Sequence, residues 1–191
     1  MNLILGFTPF LAFFLVSRLS VDLALWAAFA AAFVVTIRDF VESPSVRLLD
    51  LGNLLVFGSL ALVRGFLLPG LSAAQVHLAA ELALLLLLAG SILTCRPFSL
   101  QYARPAPGEI WPPGLFRRVN YMTSTIWLIA FAAMAGADAI VSFMPVLPVY
   151  PAVAVGVGAL AVAITFTLYY PAFVARGFPV APDFAPPDRT G

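Results

Sequence analysis

The stretch Ala73-Ala74-Gln75-Val76-His77-Leu78-Ala79-Ala80-Glu81-Leu82-Ala83-Leu84-Leu85-Leu86-Leu87-Leu88, apolar onward to Cys95, decides the fold. It is long enough, as a helix, to cross the ~30 Å hydrocarbon layer of a bilayer. It also carries a histidine and a glutamate, and an ionisable side chain at membrane depth costs at least a few kcal/mol unless it faces protein or water. The same run therefore places the chain in lipid and marks residues that need a partner there.

Working outward, three further runs are long enough to span: Leu48 to Leu68, Met122 to Leu147 and Tyr150 to Val174. Two shorter ones precede them, Leu3 to Val16 and Val21 to Ile37, separated by Ser17-Arg18-Leu19-Ser20. The first is short for a full span and has Pro9 inside it. Either it crosses with little tilt, or it forms a re-entrant hairpin with the second; both routes return the chain to one side. The expected fold is all-α, a polytopic membrane protein with six membrane segments in one helical domain over residues 1–176. Residues 177–191, rich in proline and aspartate, read as a disordered cytoplasmic tail.

Composition agrees. Hydrophobic residues make up 62% of the 191 and charged ones only 10%, too few polar groups to cover a water-facing surface. The formal net charge of +1 gives no electrostatic case for nucleic acid. Lysine is absent, which excludes a lysine Schiff base and a P-loop lysine. Cys95 is the single cysteine and His77 the single histidine, so disulfides and the usual zinc ligand sets are not expected. No cofactor is expected.

Arginine fixes the expected orientation, because short arginine-rich loops stay in the cytoplasm. With the N-terminus inside, Arg38, Arg47, Arg96, Arg104, Arg117, Arg118, Arg176 and Arg189 fall on the inner side, and Arg18 and Arg64 on or near the outer side. Both termini are thus expected in the cytoplasm. The start, Met1-Asn2-Leu3-Ile4-Leu5, has no basic region of the kind that opens a cleaved signal peptide.

The connection over residues 96–119 contains Pro97, Pro105, Pro107, Pro112 and Pro113, too many for a continuous helix. Phe98, Tyr102, Trp111 and Phe116 beside Arg96, Arg104, Arg117 and Arg118 suit a loop lying on the inner headgroup layer, contacting anionic lipid or a partner. The plainer reading is a connector that anchors two helix ends.

Four ionisable residues fall at membrane depth: Arg64, His77, Glu81 and Asp138. At about 1.5 Å per residue, Glu81 and Asp138 lie roughly 12 Å below the outer helix ends and Arg64 about 6 Å. His77 and Glu81, spaced i and i+4, share a helical face. Read functionally, the four form an outward-opening pocket in which Glu81 binds a proton or cation. Read structurally, they are a polar cluster that fixes helix packing, with Arg64 snorkelling to the headgroups. Arg18 and Asp22 are also i and i+4 and are expected to pair if the first hairpin stays helical. Ala132, Gly136 and Ala139 could line a close helix contact. Enzyme signatures such as Gly-x-Ser-x-Gly and His-Glu-x-x-His are absent, so no catalytic residue is assigned.

The order of segments resembles the intracellular septation protein A family of bacterial inner-membrane proteins. Phe7-Thr8-Pro9-Phe10-Leu11-Ala12-Phe13-Phe14 matches that family's F-x-P-x-x-x-F-F opening. Val56-Phe57-Gly58 with Leu60 and Leu62 is similar to its V-F-G-G-L-T-L, with Ser59 in place of the second glycine. Arg96-Pro97, and then Asn120, Trp127 and Gly136, follow in the family's spacing. The resemblance implies a membrane component of the cell envelope that acts through helix contacts with division or cell-wall proteins, and it leaves a homo-oligomer open. The alternative from the residues themselves is a small-solute or proton-coupled transporter using Arg64, His77, Glu81 and Asp138. An enzyme acting on a lipid-linked substrate is the third and weakest option.

Overall fold

The computed structural model describes residues 2–42, 47–103, 111–144 and 146–176. Every regular element among them is helical: α1 (Asn2–Gly6), α2 (Thr8–Val16), α3 (Val21–Glu42), α4 (Leu48–Leu62), α5 (Ala73–Leu93), α6 (Pro113–Phe143) and α7 (Tyr150–Ala175). A π-helical turn, Val63–Leu67, extends α4, and a 3-10 turn, Phe98–Gln101, lies between α5 and α6. Five helices, α3 to α7, are long and apolar enough to cross a membrane. Their outer faces carry large exposed apolar side chains, including Leu86, Leu93, Val162 and Phe173. Such a surface belongs in lipid, and the chain is a multi-pass membrane protein.

The first segment is a different object. Pro9 does not interrupt a helix; it sits in the first turn of α2, where its missing N–H is no loss. The chain bends at Phe7, whose N–H returns to the Ile4 carbonyl at 3.0 Å. Together α1 and α2 cover only about 20 Å, and they lie inside the bundle. Phe7, Phe10 and Phe13 are wholly buried. Phe7 stacks on Trp127 of α6 with centroids 3.6 Å apart, Phe10 meets Phe131 edge-on at 4.8 Å, and Phe13 touches Phe57 of α4 and His77 of α5. Phe14 fills the space that a side chain at Gly156 of α7 would take, its ring 2.9 Å from where a Cβ would stand. Since α2 also packs along α3, this short phenylalanine-rich segment touches all five long helices. In lipid the apolar chain gains little by leaving its solvent, so contact density and ring geometry hold this interior together.

Successive helices pack as antiparallel neighbours, which gives the bundle two polar ends. The arginine end carries Arg38, Arg47, Arg96, Arg117, Arg118 and Arg176 among the described residues. The histidine end carries the turns around Ser17 to Ser20, Leu68 to Ser72 and Met144 to Val149, with Arg18 and Arg64. Helix α6 starts at Pro113 with Pro112 as its cap, so Arg117 and Arg118 stand in its first two turns rather than on the connection. The paired prolines begin this helix instead of excluding one. At 31 residues, α6 runs about 46 Å and overshoots the hydrocarbon layer, bringing those arginines out at the headgroups. Arg104 and the tail 177–191 lie outside the described residues.

Ala132 and Gly136 face outward, and a Cβ at Gly136 would meet nothing within 4 Å. Close internal contacts are made instead at Gly52, where a Cβ would run into Leu87, at Gly58, where it would come within 2.9 Å of Phe29, and at Gly156.

Candidate functional site

At the histidine end, helices α5 and α6 bring His77, Glu81 and Asp138 together, with ligand atoms all within 4.8 Å of one another. His77 Nδ1 stands 3.8 Å from Asp138 Oδ2. The i, i+4 spacing puts His77 above Glu81 on the buried face of α5, and Phe13 packs on the imidazole with centroids 4.6 Å apart. Glu81 is 1% exposed, and its Oε2 has no hydrogen-bond partner among the described residues. Beside it opens a cavity of about 90 Å³, bordered also by Ser17, Arg18 and Gly156. Two carboxyl groups this close in a medium of low dielectric need a positive charge or a proton between them.

The arginine expected in this group is not there. Arg64 lies in the π-helical turn, donates from Nε to Asp22 Oδ1 at 2.6 Å and bonds the Leu71 carbonyl. It ties α3, α4 and the turn before α5 into one corner. Asp22 accordingly pairs with Arg64 and not, as the i, i+4 spacing suggested, with Arg18. Arg18 borders the cavity instead, its guanidinium 5.6 Å from the Phe14 ring centroid. The exchange was hidden in the sequence because the π-helical turn alters the angle at which Arg64 leaves its helix. Counting histidine and cysteine missed that one imidazole and two carboxylates from separate helices converge on a point.

The arginine end holds a second buried polar group. Asp39 and Arg47 are both nearly inaccessible and bonded to each other, while Arg38 Nε donates to Asp39 Oδ1 at 2.9 Å. The Arg47 guanidinium lies over the Tyr102 ring at 4.9 Å, and Tyr102 Oη donates to Asp50 Oδ1 at 2.9 Å. Burial, reinforced by the Asp50 carboxyl, raises the Tyr102 phenol above its ordinary range, so it remains a neutral donor. Asn53 Nδ2 donates to the Gly6 carbonyl at 2.7 Å, and Gln101 Oε1 accepts from the Leu48 N–H at 2.7 Å. Ser99 Oγ donates to the Asn120 carbonyl at 2.8 Å. Together these bonds fasten α1, the start of α4 and the 3-10 turn to α6. Asp39 and Asp50 did not stand out in the sequence because each lies near a helix end, where polar residues are ordinary, whereas Phe98 and Tyr102, expected on the headgroup layer, are buried against the bundle instead.

Arg96 and Arg117 border a shallow surface depression at this end, and Arg117 donates to the Cys95 carbonyl at 3.2 Å and lies over the Tyr121 ring. Arg118 is exposed and stands outside it.

No family model, no curated protein and no solved structure matches this chain.

Proposed function

We propose that the chain is a six-segment protein of a bacterial inner membrane, with both termini in the cytoplasm, that takes up a cation, in the simplest case a proton, from the outer side at Glu81, Asp138 and His77. One observation carries this reading: a buried carboxylate oxygen left without a partner beside a second carboxylate, over a cavity at the end of the bundle. Among the three buried polar atoms without a partner in the described residues, Asn53 Oδ1, Glu81 Oε2 and Ser142 Oγ, Glu81 Oε2 is the carboxylate oxygen, and its residue borders the cavity. The orientation is supported by the arginines, six of which lie at one end and two at the other among the described residues. The cavity of about 90 Å³ suits an ion with water rather than an organic solute, which narrows the transporter reading to ions. Phe7, Trp127 and Phe131 fill the interior between this cluster and the arginine end. Access in this conformation is therefore from the histidine end, and passage across the membrane requires a second conformation in which that stack parts.

The test is uptake into liposomes that hold the purified chain and an entrapped pH dye. Under an imposed gradient the wild type should acidify the lumen, Glu81→Gln should not, and Asp22→Asn should behave as the wild type. Unchanged uptake in Glu81→Gln would remove the carboxylate from any coupling role.

A second reading, a septation-protein-like envelope component, draws support from the residues that carry the resemblance. The opening motif and Trp127 meet in the Phe7–Trp127 stack, so two separate stretches of the resemblance share one packing unit. This reading expects in-cell crosslinking to recover division or cell-wall proteins. It also expects Glu81→Gln to leave cell shape unchanged.

A further inference from the structure

We infer that His77, Glu81 and Asp138 form a site for a divalent transition-metal ion of the zinc class. The inference rests on the cation-uptake reading and names the cation. Three observations carry it. The donor set is one imidazole nitrogen and two carboxylate oxygens, all within 4.8 Å of one another, and such a mixed set suits zinc and its neighbours. Magnesium and calcium prefer oxygen alone. Next, Glu81 is 1% exposed with Oε2 unpartnered, an acceptor held out of water on a side chain that converges with His77 and Asp138 beside the cavity. Finally, the cavity of about 90 Å³ beside them leaves room for a water as fourth ligand, the arrangement of a three-ligand zinc site with an open position.

Charge and rigidity fit the same ion. Two carboxylates and a neutral imidazole offer two negative charges, which a divalent ion cancels within a medium where residual charge is costly. Arg18, at the exposed rim of the cavity, adds a positive charge that solvent and headgroups screen. A cation entering or leaving on this side must pass it. The imidazole is clamped between Phe13 and Phe14, so one ligand is held in place before the metal arrives, and α5 and α6 present the other two from facing helices. Zinc bonds of roughly 2.0–2.2 Å require the three ligand atoms, now within 4.8 Å of one another, to draw in around the ion. Metal and protons compete for the same three groups, so binding releases protons and weakens as the pH falls.

The experiment is titration of the purified full chain in detergent with Zn²⁺ alone, read by calorimetry and by thermal unfolding. The wild type should bind one equivalent and unfold at a higher temperature with metal than without. His77→Gln and Asp138→Asn should each weaken binding by roughly 100-fold or more, beyond the 10–100-fold that losing an outer-shell partner costs, and should lose the metal-dependent rise in Tm. Asp22→Asn, away from the site, should bind as the wild type. If one ligand variant fails to fold, the other still reports. Absence of Zn²⁺ binding, or binding that both ligand variants retain, would overturn the inference. Proton uptake that depends on Glu81 in a chain that binds no Zn²⁺ would overturn the metal site while keeping the uptake reading. Zn²⁺ binding lost in the variants without any ion uptake into liposomes would establish the site and end the uptake reading.

Discussion

The two ends of the bundle bury carboxylates in opposite ways. At the arginine end Asp39 is bonded by Arg38 and Arg47, and Asp50 accepts from Tyr102; the buried atom left without a partner there is an amide oxygen, Asn53 Oδ1, and not a carboxylate. At the histidine end Glu81 keeps an oxygen without a partner, beside Asp138 and a cavity, while the nearby Arg64 is committed to Asp22 and the Leu71 carbonyl. Carboxylates bonded by arginine or a phenol hold helices in register. A buried carboxylate oxygen with no partner adds nothing to that register and can take a cation. The contrast assigns structure to one end and chemistry to the other.

The sharpest way to break this contrast is to remove Arg47. Arg47→Met leaves Asp39 buried with Arg38 alone and should destabilise the protein by about 3 kcal/mol, the low end of the range for breaking a buried pair. Unfolding in mixed detergent measures it; a loss under about 1 kcal/mol would mean that the arginine end is not the structural clamp. Tyr102→Phe removes one hydrogen bond to a buried carboxylate and should cost about 1–3 kcal/mol by the same assay. Glu81→Gln, by contrast, exchanges a carboxyl group with one unpartnered oxygen for an amide of nearly the same shape and should shift stability by less than about 1 kcal/mol in either direction, even as it abolishes uptake. A large loss of stability in that variant would make the histidine end a structural element as well. The smallest effect belongs to Asp22→Asn. Its pair with Arg64 is more than half exposed on the aspartate side, so the change should stay under about 1 kcal/mol.

Much of this was readable from the residues. Apolar run lengths located α4, α5 and α7, and the i, i+4 spacing placed His77 and Glu81 on one face, whereas α3, read as a short segment ending at Ile37 and open to a re-entrant course, runs on to Glu42 and is long enough to cross. What run length does not encode is which apolar segment faces lipid. Leu3 to Val16 is as hydrophobic as its neighbours, yet Phe7, Phe10 and Phe13 are interior, because a segment too short to span can satisfy its backbone as a helix while its rings fill the space among longer helices. The start of α6 was obscured by Pro112-Pro113, which read as a barrier and act as an N-terminus. Distances along the chain also hid the pairings. Asp39 meets Arg47 across a turn, Asp50 meets Tyr102 from 52 residues away, and the π-helical turn carries Arg64 to Asp22. Depth alone grouped Arg64 with His77, Glu81 and Asp138, whereas rotation around the helix axis separates it from them.

Assignment of one end to the cytoplasm and the other to the outside underlies everything said about access to Glu81. Cys95, the single thiol, is exposed at the arginine end and reports on this directly. Treating intact cells with a membrane-impermeant maleimide should leave Cys95 unlabelled, and labelling should appear once the membrane is permeabilised. Labelling of Cys95 in intact cells would place the arginine end outside, turn the cation site toward the cytoplasm and contradict the account.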